Sequence, residues 1–140
     1  DTTESNEHPV GLNVLVADDN KVNQKVAAAM LRRLGHNVTV VENGEKAVER
    51  LETTKFDLVL MDIQMPVLDG IEATKEIRSR GWDCPVVGLT ASFQRAQLPF
   101  YRQVGMNDCI SKPILLKGLR NTIFENVRPK LTDDTARPSA

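Results

Sequence analysis

The sequence feature that most constrains the fold is an alternation of short aliphatic runs with amphipathic stretches. The runs are LNVLVA (12–17), VTVV (38–41), FDLVLM (56–61), PVVGL (85–89) and a weaker DCIS (108–111). Such runs, apolar at successive positions, are typical of strands that are covered on both faces of a parallel sheet. The sequence therefore predicts five buried strands, and the stretches between them must supply the covering helices.

The first amphipathic stretch, NQKVAAAMLRRLG, places Val26, Met30 and Leu34 four residues apart, with Ala27 and Leu31 beside them, and Gly35 ends it. This spacing predicts a helix that buries the face carrying those side chains. The stretches GEKAVERLE, GIEATKEIRSR and LLKGLRNTIFENV have the same pattern. Five strands alternating with five helices predict an α/β fold, a flavodoxin-like (βα)5 doubly wound three-layer sandwich with parallel strand order 2-1-3-4-5.

The length of 140 residues suits one domain, which we expect over 10–127, with flexible polar segments at 1–9 and 128–140. A net charge of −1 gives no overall attraction to nucleic acid or to a membrane surface. No apolar run is long enough to span a bilayer. Cys84 and Cys109 form no metal-type pair, so we expect reduced thiols in a cytoplasmic protein.

Polar side chains stand at the ends of four of the predicted strands. Asp18 and Asp19 follow the first strand, Asp62 the third, Thr90 the fourth and Lys112 the fifth. In the order 2-1-3-4-5, strands 1 and 3 flank the point where strand order reverses, which is where such sheets bind ligands. The sequence thus predicts that three carboxylates, a hydroxyl and an ammonium converge at one edge of the sheet.

Three carboxylates this close repel one another, which favours a bound hard cation, and a site with few protein ligands suits Mg²⁺, for which Mn²⁺ could substitute. A lone Asp at a strand end is usually a turn or cap residue, and Asn20 is a candidate cap of the first helix. The coincidence of all these groups favours a phosphoryl site. Asp62 is then the predicted nucleophile, which would form an acyl phosphate beside Thr90 and Lys112.

At these residues the chain resembles the receiver domain of two-component response regulators over about 12 to 125. The resemblance implies that Asp62 is the phosphoacceptor and that Asp18, Asp19, Asp62 and the backbone carbonyl of Gln64 bind magnesium. It further implies that Thr90 is the switch hydroxyl and Lys112 the phosphate-binding lysine. The Lys112–Pro113 bond is expected to be cis, as it usually is in that family.

The segments ADDNKVNQKVAAAMLRRLGH, MDIQMPVLDG and GMNDCISKPI resemble the receivers of hybrid sensor histidine kinases in particular. The expected phosphoryl donor is a histidine kinase or a histidine phosphotransfer domain, with no direct contact to nucleic acid or membrane. We expect a monomer or weak dimer that turns over no external substrate, within a parent chain that is a histidine kinase. His8 and His36 are both expected to be solvated rather than functional.

Two positions depart from the family pattern. Cys109 stands three residues before Lys112, where receivers usually carry an aromatic switch residue, and we expect a packed thiol there rather than a reactive one. Pro99 would break a helix but fits a first turn, so the fourth helix should be short, begin near Leu98 and follow a long mobile loop over 91–97. The neighbouring Phe93, Phe100 and Tyr101 are candidates for an exposed apolar patch, and at least one of them is expected to pack into the core.

Two other functions remain open from the sequence. An Asp-nucleophile phosphohydrolase commonly carries a second Asp two residues after the nucleophile, and Gln64 at that position argues against it. A receiver-like interaction module that is never phosphorylated is the other alternative, which Cys109 leaves open.

Overall fold

The computed structural model describes the backbone of residues 9–136 and the side chains of residues 9–127. Five strands form one parallel sheet in the order β2-β1-β3-β4-β5. The strands are β1 (Asn13–Ala17), β2 (Asn37–Val41), β3 (Leu58–Asp62), β4 (Val86–Thr90) and β5 (Asp108–Ser111). The helices are α1 (Lys21–Arg33), α2 (Gly44–Thr53), α3 (Gly70–Ser79), α4 (Leu98–Val104) and α5 (Leu116–Ala136). The predicted doubly wound fold and strand order are confirmed.

Alternating strand residues supply two separate apolar layers, because successive side chains of a strand point to opposite faces. Val14, Val16, Leu58 and Leu60 pack on one face with α1 and α5. The side chains of the opposite layer, which packs against α2, α3 and α4, include Leu15, Ala17, Val59, Met61, Ala47, Ile77 and Tyr101. All five residues of β3 are buried, which is why its sequence shows no polar alternation.

Helix starts are fixed by side-chain caps. Asn20 accepts a hydrogen bond from the Asn23 amide at 3.0 Å, and Asp69 accepts one from the Glu72 amide at 2.9 Å. Each such cap satisfies a backbone donor that the first helical turn leaves without a partner. The first turn of α1 therefore begins at Lys21, shortly after Asp18, whereas α3 begins at Gly70, after a longer connection from Asp62.

The predicted inward face of α1 is confirmed for Ala27, Met30, Leu31 and Leu34, but not for Val26. Ala27, Ala28 and Leu31 are the buried residues of this helix, whereas Val26 is 40% exposed and Val22 is 68% exposed. Met30 and Leu34 pack against the same cluster as Ala27 and Leu31, so the buried face differs from the predicted one only in that Val26 is exposed. The helix therefore leaves two valines on the surface.

His36 is buried, contrary to the prediction that it is solvated. Its Nδ1 accepts a hydrogen bond from the Leu12 amide at 3.3 Å, which joins the turn after α1 to the start of β1. Burial lowers the pKa of this imidazole, and the nearby Asp57 carboxylate opposes that effect. His8 lies outside the described residues.

The short fourth helix begins at Leu98 with Pro99 in its first turn, as predicted. The preceding loop contains a 3-10 turn at Arg95–Gln97, and the Gln94 amide donates to Gln97 Oε1 at 3.0 Å. The loop is therefore more regular than the sequence indicated.

The last helix continues to Ala136, into the range 128–140 for which the sequence predicts a flexible segment. The predicted N-terminal segment, apart from Pro9, lies outside the described residues, as do residues 137–140. The division of the chain into a domain over 10–127 and two flexible ends stays a prediction. Among the described residues, no helix combines the length and the apolar character that crossing a bilayer would require.

Candidate phosphoryl and cation site

The predicted site residues lie at the carboxyl edge of the sheet. Asp62 is the last residue of β3, Thr90 is the last residue of β4, and Asp18 and Lys112 directly follow β1 and β5. Ala17 pairs with Met61, and Asp62 pairs with Leu89, so the ends of β1, β3 and β4 are nearly level. The strand order thus places these groups beside the topological switch point.

The acidic cluster consists of Asp18, Asp19 and Asp62. One carboxylate oxygen from each lies within 4.8 Å of the other two. Asp18 and Asp62 are 1% and 4% exposed, whereas Asp19 is exposed. Two carboxylates of the cluster are therefore shielded from water, and the third closes the site on the solvent side.

Lys112 supplies the positive charge of the site. Its Nζ lies 3.2 Å from Asp62 Oδ2 and 3.5 Å from Asp18 Oδ2. Its backbone amide donates to the Thr90 carbonyl at 2.7 Å, which aligns the chain after β5 with the end of β4. The Lys112–Pro113 peptide bond is cis, as the sequence predicted.

Burial raises the pKa of the Asp62 carboxyl, and the neighbouring Asp18 carboxylate raises it further. The hydrogen bond and charge of Lys112, together with the Gln64 amide 3.3 Å from Oδ1, act in the opposite direction. One ammonium among three carboxylates leaves the site with an excess of negative charge. A cation would offset that excess.

The oxygen ligands fit a small divalent ion. Magnesium–oxygen distances of about 2.0–2.1 Å place opposite ligands roughly 4.2 Å apart. Adjacent ligands of an octahedron lie roughly 2.9 Å apart, so three carboxylate oxygens within 4.8 Å of one another are near enough for one ion to bind them directly after they move closer, or partly through water. An open pocket beside Asp19 is lined by Ile63, Gln64, Met65 and Asp69, among others. Gln64 thus borders the cluster, and the role of its carbonyl as a ligand stays a prediction.

Thr90 is half-buried, and its Oγ1 accepts a hydrogen bond from the Ser92 amide at 3.4 Å. It lies one position beyond Leu89, the residue paired with Asp62. Ser111 Oγ accepts from the Phe93 amide at 3.1 Å, so the loop after β4 is attached to the end of β5. The loop after β4 is thus hydrogen-bonded to the last residues of both β4 and β5.

Cys109 is a packed thiol, as predicted. It is 3% exposed, and burial raises its pKa to about 12, so the reactive thiolate is suppressed. A Cβ on Gly88 would lie 2.8 Å from Met106 Sδ and 3.3 Å from Cys109 Sγ, so β4 approaches these sulfurs because Gly88 lacks a side chain. Of the aromatic residues nearby, Tyr101 is buried in the same layer and Phe100 is 55% exposed.

Sequence reasoning missed two residues that shape the site. A Cβ on Gly70 would lie 2.3 Å from the Asp62 carbonyl oxygen, so the close approach of α3 to the end of β3 requires glycine there. Gln24 Nε2 donates to the Asp18 carbonyl at 2.6 Å. No local pattern in the sequence marks Gly70 as a neighbour of the Asp62 carbonyl, and none distinguishes Gln24 from other polar helix residues.

The fold and the site together define a doubly wound domain with a pocket suited to a cation and a phosphoryl group. The chain belongs to the response regulator receiver domain family, whose model matches residues 14–124. Its relatives include the transcription factor SKN7 of Saccharomyces cerevisiae, which is 36% identical over 121 residues that cover 86% of this chain and 20% of that protein. The chain spans 10–20% of the length of the first curated relatives it matches.

Two solved structures have the same fold. The receiver domain of sensor histidine kinase PA1611 from Pseudomonas aeruginosa, described with a magnesium ion in its active-site cleft, is 40% identical with a TM-score of 0.76. The match covers 84% of this chain and 98% of that one. The receiver domain of Saccharomyces cerevisiae Ssk1, solved with the phosphotransfer protein Ypd1, is 32% identical with a TM-score of 0.79, covering 86% and 92%.

Proposed function

We propose that Asp62 is the phosphoacceptor of a two-component phosphorelay. The observation that carries this proposal is the buried Asp62 carboxylate, 3.2 Å from Lys112 Nζ and within 4.8 Å of the carboxylates of Asp18 and Asp19. A carboxylate in this setting has a fixed ammonium beside it and oxygen ligands for a cation around it. These are the groups that in-line phosphoryl transfer uses.

In the proposed reaction a carboxylate oxygen of Asp62 attacks the phosphorus of a phosphohistidine. The phosphorus–nitrogen bond breaks, the electron pair returns to the imidazole, and an acyl phosphate forms on Asp62. Lys112 neutralises charge on the phosphoryl oxygens, and the Thr90 hydroxyl donates a hydrogen bond to one of them. A bound Mg²⁺, held by Asp18, Asp19, Asp62 and the Gln64 carbonyl, would supply further charge neutralisation.

A histidine phosphotransfer domain or a histidine kinase is the proposed donor. The complex of the similar Ssk1 receiver with Ypd1 supports this class of partner. On this chain, exposed apolar side chains lie on the segments that follow β1, β3 and β5 at the edge that carries the site: Val22 on α1 is 68% exposed, Val67 is 75% exposed, and Leu115 is 69% exposed. Such a rim around a polar pocket fits a protein surface that presents one phosphohistidine.

We further propose that the parent chain is a hybrid sensor histidine kinase and that this domain works in the cytoplasm. The PA1611 receiver, part of a sensor histidine kinase, supports this parent, whereas SKN7 is a transcription factor with a similar receiver. The parent is therefore best decided by the sequence that flanks this segment in its gene.

The test is adduct formation with a small phosphodonor. The domain is incubated with Mg²⁺ and acetyl phosphate or beryllofluoride, and the intact mass or the spectrum is recorded. We expect an adduct on the wild-type chain and on Asp83→Asn, an exposed carboxylate outside the cluster, but none on Asp62→Asn. Absence of any adduct would favour the unphosphorylated interaction module, and rapid turnover of phosphate esters would favour the phosphohydrolase.

A further inference from the structure

Gln24 holds the backbone that joins the two acidic residues after β1. From the first turns of α1, its Nε2 donates a 2.6 Å hydrogen bond to the Asp18 carbonyl oxygen. On the other side of the same residue, the Asp18 amide donates to the Val41 carbonyl of β2 at 3.1 Å. The backbone of Asp18 is thus fixed at its amide by the sheet and at its carbonyl by the Gln24 side chain.

The two acidic side chains differ in how they are oriented. Asp18 is buried, Oδ1 accepts from the Asn20 amide at 2.9 Å, and Oδ2 lies 3.5 Å from Lys112 Nζ. Asp19 is exposed, so no surrounding core restricts its side chain. The direction in which its carboxylate leaves the chain is then set by the peptide that connects it to Asp18. The carbonyl oxygen of that peptide is the atom that Gln24 binds.

We propose that Gln24 is a positioning residue for the cation site and acts by fixing the peptide plane between Asp18 and Asp19. This inference rests on the proposed function, because it requires that a divalent cation occupies the acidic cluster. Gln24 thus influences the affinity of the site for the cation rather than the chemical step of phosphoryl transfer. Partners that orient metal ligands typically change affinity by about 10–100-fold when they are removed.

A merely structural role of Gln24 would give a different result. If its hydrogen bond only attached α1 to β1, its loss would lower stability equally with and without cation. If it orients Asp19, its loss would raise the dissociation constant for Mg²⁺ and change the Mg²⁺-free midpoint little.

The experiment uses Gln24→Met, a neutral side chain of similar length without a donor, and Gln103→Met on α4 as the matched control. The thermal midpoint of each protein is measured against Mg²⁺ concentration, which gives the dissociation constant by linkage. We expect a roughly tenfold higher dissociation constant for Mg²⁺ in Gln24→Met and a wild-type value in Gln103→Met. The Mg²⁺ dependence of beryllofluoride adduct formation should shift by the same factor, with a wild-type yield at saturating Mg²⁺.

Equal dissociation constants for Gln24→Met and the wild-type chain would overturn the inference and leave the proposed function standing. A lowered Mg²⁺-free midpoint with an unchanged dissociation constant would overturn it in the same way. If Gln24→Met does not fold, Gln24→Ala is measured by the same titration. A wild-type midpoint that does not respond to millimolar Mg²⁺ would overturn both this inference and the proposed function.

Discussion

Replacing Asp62 with Asn should stabilise the domain in the absence of divalent cations. At an effective dielectric constant of about 20, two carboxylates 4.8 Å apart repel by roughly 3.5 kcal/mol, so the Asp18–Asp62 pair costs at least that amount. Lys112 Nζ, 3.2 Å from Asp62, offsets about 5 kcal/mol on the same scale. Asp19 is exposed and adds a screened repulsion of about 1 kcal/mol.

The charge interactions of Asp62 therefore nearly cancel. The unfavourable loss of hydration of its carboxylate, which is only 4% exposed, then makes the net contribution of the charge to stability unfavourable. An Asn side chain is neutral, keeps an oxygen that can accept from the Gln64 amide, and leaves Lys112 paired with Asp18. We expect a gain of about 1–2 kcal/mol in the free energy of unfolding, or roughly 3–8 °C in the thermal midpoint for a domain of this size.

The assay is urea and thermal unfolding in EDTA at pH 7, with Asp83→Asn as the control. Because the folded pKa of Asp62 is raised, its destabilising effect is present above that pKa and disappears as the pH falls through it towards the unfolded value of 3.8. The advantage of Asp62→Asn should shrink accordingly in acid. Millimolar Mg²⁺ should stabilise the wild-type chain more than the variant. A variant less stable than wild type in EDTA at pH 7 would refute the reasoning.

Three further substitutions test other parts of the structure. Because the pKa of His36 is lowered in the folded state, the contribution of its neutral imidazole to stability should be lost as pH falls below about 6.5. In urea titrations, the difference in the free energy of unfolding between the wild-type chain and His36→Asn, which keeps an acceptor, should therefore change over that pH range. A difference that does not depend on pH would contradict this. Val67 is 75% exposed with φ of 70°, so Val67→Gly should stabilise by up to about 1 kcal/mol in thermal unfolding, and a loss would contradict it. Gly70→Ala forces a Cβ against the Asp62 backbone and should lower the free energy of unfolding by at least about 2 kcal/mol in the same assay. Gly118→Ala, with open space around it, should raise it by about 1 kcal/mol. Similar effects of the two substitutions would refute the steric account.

The fold and the placement of the site could be predicted because both follow from where buried strands end. FDLVLM is apolar at successive positions because β3 is covered on both sides, and the first residue beyond that run must lie at the edge of the sheet. Parallel pairing then brings Asp18, Asp62, Thr90 and Lys112 to one edge without any further information. Such predictions need only the positions of strand ends.

The features that could not be predicted depend on three-dimensional packing. The exposure of Val26 could not be predicted, because the helical period places it on the same face as Met30 and Leu34, which pack against the core. The burial of His36 depends on the backbone of Leu12, which is distant in sequence. The hydrogen bond between the His36 imidazole and the Leu12 amide joins residues 24 positions apart, so no local sequence pattern predicts it.

The loop after β3 indicates how the proposed function of this domain would oppose its stability. Asp62 has a raised pKa, Val67 has a positive φ, and Gly70 is held against the Asp62 carbonyl, all within one short connection. The raised pKa and the positive φ are unfavourable for the isolated fold, whereas glycine at position 70 accommodates the close approach, and such strain persists only where surrounding structure enforces it. Here the fully buried β3 and the capped α3 enforce it from both sides. A cation and a phosphoryl group would relieve the charge component only, so ligand binding should change the energy of Asp62 while the strain at Val67 remains.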